Sequence, residues 1–131
     1  AIGKFINTIP ASKKIGVITA VGDRRNEDII ALGEAAAPLF DELIIRYDED
    51  LRGRTELEIR VLLQQGIQKA APGKPVHYCS CEAEAIDVSI SQATQDSLIV
   101  FMVENIDAVS KKVMELKEKE QKRFEAVRMA I

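Results

Sequence analysis

The chain has a single histidine and two cysteines, and little can be built from so few reactive side chains. His77 lies inside a short apolar run, where a core or edge histidine and a general base are both readings of it, so Ser, Cys and His do not assemble into a nucleophilic set. Cys79 and Cys81 are spaced C-x-C. One intervening residue strains an intrachain bridge, and no second ligand pair completes a zinc site, so they read as reduced thiols in a cytoplasmic protein with no metal site. A basic excess is also missing: 18 basic residues stand against 21 acidic ones, a net charge of −3, which offers nothing to nucleic acid. No apolar run approaches the ~20 residues of a membrane helix, and no signal peptide is visible. The chain also lacks a phosphate loop of the form G-x-x-x-x-G-K-[ST], and Gly22-Asp23-Arg24-Arg25 lacks the spacing of G-x-G-x-x-G. No nucleotide-hydrolysing machinery is recognisable, and no catalytic residue is assigned.

What is present is an ordered alternation. A chain of 131 residues, 47% hydrophobic and 30% charged, suits a single domain with its own core. It opens on Ile2, Phe5 and Ile6 at helical spacing, stopped by Pro10, which reads as the tail of a helix in a longer protein. Residues 15–21 form an apolar run that suits a central parallel strand. The spacing of Ile29, Leu32, Gly33, Ala36 and Phe40 predicts a helix over 27–40, capped by Asn26 or Asp23, with Pro38 tightening or kinking its last turn. A second strand is expected over 43–46. A second helix follows over 55–65, with Thr55 and Glu58 as a capping box and Gly66 as the stop.

Residues 76–79 give a third strand, Ser80 caps a helix to about Ala93, and 97–103 give a fourth strand. A last helix starts near Asn105, and the spacing of Phe124, Val127 and Ile131 behind a charged run predicts a helical extension over 117–131. Four strands alternating with helices, with no hairpin signal, mean an α/β fold: a Rossmann-like three-layer sandwich with a mostly parallel sheet.

Two charged turns then leave the carboxyl ends of the first two strands, the edge where open parallel sheets bind ligands. In the first, Gly22 allows a tight exit, Asp23 caps a helix or orients an arginine, and Arg24 and Arg25 present planar forks to phosphate or carboxylate. A helix start with two solvated arginines is the alternative reading. In the second, Asp48, Glu49 and Asp50 interleave with Arg52 and Arg54 around Gly53. That mixture suits a ligand carrying both charges, such as an amino acid, or else an internally paired surface loop.

Several stretches carry a family resemblance. They are Gly-Asp-Arg-Arg-Asn-Glu-Asp-Ile, the following Leu-Gly-Glu-Ala-Ala, Phe-Asp-Glu-Leu-Ile-Ile-Arg, Asp-Leu-Arg-Gly-Arg and Leu-Leu-Gln-Gln-Gly-Ile, with Glu-Ala-Glu-Ala-Ile-Asp and Ser-Leu-Ile-Val-Phe later. Together they closely resemble the carboxy-terminal, Mur-ligase-type domain of the cyanophycin synthetase family over most of residues 12–110. The resemblance implies a lid that closes over a central ATPase domain of the same chain, in a homo-oligomeric enzyme. That parent uses ATP and Mg2+, bound mainly by the central domain, to phosphorylate an aspartate carboxylate of polyaspartate and then joins arginine to it.

Carried over, Asp23, Arg24 and Arg25 face nucleotide or acyl phosphate, and Arg52 stands where muropeptide ligases carry the arginine of Asp-Asn-Pro-Arg. From charge, and not from a motif, Asp48 and Asp50 are expected to meet the guanidinium or amine of arginine, with Arg54 beside Arg52 around the amino-acid substrate. Met102-Val103-Glu104-Asn105 replaces the Gly-Lys-Gly-His-Glu of muropeptide ligases, which argues against a cell-wall ligase. Another Mur-family ligase, acting on muropeptide or folylpolyglutamate, and a stand-alone Rossmann-like binding module remain the alternatives, and this piece alone is expected to be inactive.

Overall fold

The computed structural model describes residues 2–103, 114–115 and 125–130. Alternation of side chains along extended backbone divides the apolar residues between two faces of one sheet. The elements in order are α1 (Ile2–Thr8), β1 (Lys13–Ala20), α2 (Asn26–Ala36), a 3-10 turn (Ala37–Leu39), β2 (Glu42–Tyr47), α3 (Glu56–Ala70), β3 (Val76–Cys79), α4 (Glu82–Gln92), β4 (Ser97–Val103) and β5 (Glu125–Ala130). The strands lie in the order β3-β2-β1-β4-β5, and every pairing is parallel.

Ile18, Ala20, Leu43, Ile45, Leu98 and Val100 pack with Ile6, Ile29, Phe40, Ile59, Leu63 and Ile67, which come from α1, α2, α3 and the bend before β2. The alternate residues Ile15, Val17, Ile44, Ile99 and Phe101 pack with Ala85, Ile86 and Ile90 of α4. The result is the expected α/β three-layer sandwich, with β1 buried along its last six residues because both faces are covered. No helix among the described residues is long and apolar enough to cross a membrane.

Several expectations are corrected. The sheet has five strands, not four: 125–130, expected as part of a helix over 117–131, form β5 beside β4. The spacing of Phe124, Val127 and Ile131 suggests a helix, but the six residues Glu-Ala-Val-Arg-Met-Ala are too short and too mixed for their own period to decide. Residues 117–124 and 131, and the helix expected from Asn105 up to residue 113, lie outside the described residues, while Met114 and Glu115 are helical.

Gly66 does not stop α3, which continues to Ala70. Gly66 is a point of close helix approach instead. Phe40 is extended, because the 3-10 turn carrying Pro38 ends α2 early. Neither Asn26 nor Asp23 caps α2; the N-cap is Arg25, without a side-chain cap bond. Cys81, not Ser80, is the N-cap of α4. Glu84 reaches back to accept from both the amide and the hydroxyl of Ser80, at 3.1 and 2.9 Å. The Thr55 cap stands as read, its Oγ1 accepting from the Glu58 amide at 3.1 Å.

Candidate functional site

Register places the two charged turns side by side. Ile18 pairs with Ile45 and Ala20 with Tyr47, so β1 and β2 end level and their loops leave the same edge. β4 pairs with the other side of β1, which makes the β1–β4 boundary the point where strand order reverses. Ligands of open α/β sheets sit outside the carboxyl ends of the strands at such a point.

The turns touch. A Cβ built on Gly22 would collide with the carbonyl oxygen of Leu51 and stand 2.9 Å from its Cα, so glycine is what lets the loops close on each other. From the other side Arg54 donates from Nε to the Gly22 carbonyl at 3.2 Å and from Nη2 to the Arg24 carbonyl at 2.8 Å. The amide of Asp48 adds a bond to the Ala20 carbonyl at 2.9 Å.

Within the first turn the two arginines differ. Arg25 is bidentate on Asp28, at 3.1 and 3.2 Å, with Glu27 3.7 Å away. That hydrogen bond lowers the carboxyl pKa of Asp28 and raises that of the guanidinium. Arg24 and Asp23 are exposed, and among the described residues the Arg24 guanidinium has no hydrogen-bond partner. Among the described residues Arg24 is thus the fork of this turn that makes no hydrogen bond, although its charge helps lower the Asp28 carboxyl pKa.

In the second turn Arg52 has a left-handed backbone, φ 52°, followed by Gly53 at φ 85°. A non-glycine residue there costs roughly 1–2 kcal/mol. Asp50 holds it: one carboxylate oxygen accepts the Arg52 amide at 2.9 Å and the other lies 3.3 Å from its Nε. Both side chains are exposed, so their charges remain within reach of solvent. Asp48 is half-buried and accepts the Glu49 amide at 2.8 Å.

Behind this turn opens a pocket of about 430 Å³, lined by Arg46, Asp48, Glu49 and the start of α4 from Ser80 to Ala83. Arg46 was not singled out from sequence. By alternation it points to the α4 face of the sheet, its side chain is only 10% exposed, and its Nη2 lies 3.3 Å from Glu82. Its Nε has no partner among the described residues. The available signal was a lone cation closing the apolar run 43–45, with an acid opening the helix after the neighbouring strand. Tyr47 stacks on Tyr78 at 6.3 Å, Arg60 lies 4.3 Å over the Tyr78 ring, and burial raises both phenol pKa values.

His77 lies half-buried in β3, at the sheet edge. Both cysteines are free, Cys79 buried and Cys81 exposed. Burial, with Glu84 nearby, pushes the Cys79 thiol up to about 11. Among the described residues no group of three or more His, Cys, Asp or Glu side chains is placed to hold a metal ion. At the edge the first turn leaves the exposed Arg24 fork and the second mixes acids with arginine, and no magnesium site is assigned to this domain.

No family model matches the sequence. Curated relatives do. The cyanophycin synthetases of Trichormus variabilis and of a Nostoc species are each 32% identical over 111 residues, 85% of this chain and 12% of theirs. That of a Synechocystis species is 33% identical over 106 residues, 81% of this chain and 12% of its own. The chain therefore spans about an eighth of the length of the curated relatives it matches. Over that domain-sized portion it is similar to the cyanophycin synthetases, consistent with their C-terminal domain.

Proposed function

We propose that the chain is the closing domain of a cyanophycin-synthetase-like, ATP-dependent ligase. In this reading the parent transfers the terminal phosphoryl group of ATP to an aspartate side-chain carboxylate of a polyaspartate backbone. The amine of arginine then displaces phosphate to form the amide. A central ATPase domain of the same chain supplies most of the nucleotide and magnesium contacts.

The likeness to cyanophycin synthetases supports the reaction class. The observation that carries the site is the pairing of two charged turns at one sheet edge, one with an exposed arginine fork and the other with acids and arginine mixed. Arg24 and Asp23 meet the anionic nucleotide or acyl phosphate when the domain closes, while Arg25 is already engaged by Asp28 and orders the start of α2. Arg52, with Asp48 and Asp50, meets the amino acid. A preset loop limits the entropy lost on binding, which fits the Asp50 brace on the Arg52 backbone.

Arginine-dependent phosphate release from ATP on a polyaspartate primer, measured with the full-length protein, tests the reading. Release that requires both arginine and primer is expected. Release indifferent to arginine would remove it.

A further inference from the structure

Arg54 was expected among the substrate-binding residues, yet its guanidinium is committed elsewhere. Acids abound in its own turn, at Asp48, Glu49 and Asp50, but its donors go to two backbone carbonyls across the gap, those of Gly22 and Arg24. A fork on carbonyls fixes a backbone path, whereas a fork on a carboxylate fixes only a side chain. The path it fixes is otherwise weakly held. Residues 22–24 are a bend outside any strand or helix, and α2 begins at Asn26 with an N-cap, Arg25, that makes no side-chain cap bond. On the opposite side the two loops meet at Gly22 and Leu51, with no room for a side chain.

We propose that Arg54 is a positioning residue that binds the 22–25 and 48–53 turns into one unit and sets the bearing of the Arg24 side chain. Its hold on the Arg24 carbonyl is the direct route, because that carbonyl belongs to the residue whose exposed guanidinium makes no hydrogen bond among the described residues. Resting on the ligase reading above, the tie also makes the nucleotide-facing and amino-acid-facing turns interdependent.

Amide hydrogen exchange in the full-length protein tests the tie without reference to activity. With Arg54→Ala, exchange of the Asp28 and Ile29 amides, which donate to the Arg25 carbonyl beside the freed Arg24 carbonyl, is expected to rise on the order of tenfold, while β1 and α3 stay protected. Arg54→Lys keeps the charge and reaches one carbonyl, so it gives an intermediate rise and serves where the alanine variant folds poorly. Unchanged exchange at Asp28 and Ile29, or a rise confined to 48–54, overturns the proposal.

In the ligase assay Arg54→Ala should raise KM for both nucleotide and arginine, and Arg24→Ala should matter less in that background. A change in KM for arginine alone overturns it in favour of direct ligand contact. If the protein proves not to be a ligase, the exchange measurement still decides the tie.

Discussion

Gly66 of α3 rests on the backbone of α2: a Cβ built on it would collide with the Ile30 carbonyl oxygen and stand 2.8 Å from the Glu34 amide nitrogen. Gly33 makes the reciprocal contact, with the Leu63 carbonyl. The two helices that follow the two charged turns are therefore locked together at backbone distance, which holds those turns at a fixed separation.

Gly66→Ala is accordingly expected to destabilise the protein by ~1–3 kcal/mol, the range for overpacking. An exposed helix site would gain about 1 kcal/mol from the same change. Urea unfolding of the two proteins checks the sign.

Gly22→Ala forces the loops apart at Leu51. Its φ is not in the left-handed region, so the cost is steric, again ~1–3 kcal/mol in denaturant unfolding. Weakened protection of the 48–53 turn in amide exchange is the accompanying sign that the loops have separated.

Arg46 and Glu82 form a mostly buried pair. Arg46→Met leaves Glu82 with no cation and is expected to cost ~1–3 kcal/mol, below the several kcal/mol of a fully buried pair because Glu82 is 29% exposed. Adding Glu82→Gln should recover much of that loss in thermal unfolding.

Cys79 gives a pH signature. Its thiol is raised from 9.0 in the unfolded reference to about 11, chiefly by burial. A raised folded value means this contribution is complete below pH ~9 and disappears as pH rises through about 11. Stability should fall over that window, and less steeply in Cys79→Ala. Alkylation at neutral pH should label Cys81, which is exposed, and spare Cys79.

Most of the fold was legible because each strand-and-helix unit carries its own period. The run 15–21 and the helix spacing from Ile29 to Ala36 are local signals, and β1 and α2 follow them. The exceptions depend on partners distant in sequence. Gly66 reads as a stop until Ile30 is seen against it, and 125–130 reads as helix until β4 offers a sheet edge. The two charged turns were legible in the same way, since Asp23 to Arg25 and Asp48 to Arg54 each follow a strand end in the sequence. The division of labour among the arginines was not, since Arg25 is spent on Asp28, Arg54 on carbonyls and Arg46 on Glu82.

The most direct test is the pair of Michaelis constants for Arg52→Ala and Arg24→Ala in the full-length protein, assayed as arginine-dependent amide formation on polyaspartate. The ligase reading predicts a higher KM for arginine with Arg52→Ala and a higher KM for ATP with Arg24→Ala, by about tenfold or more for each lost charged contact. Unchanged constants in both variants would contradict it, because the paired turns would then have no part in holding either substrate.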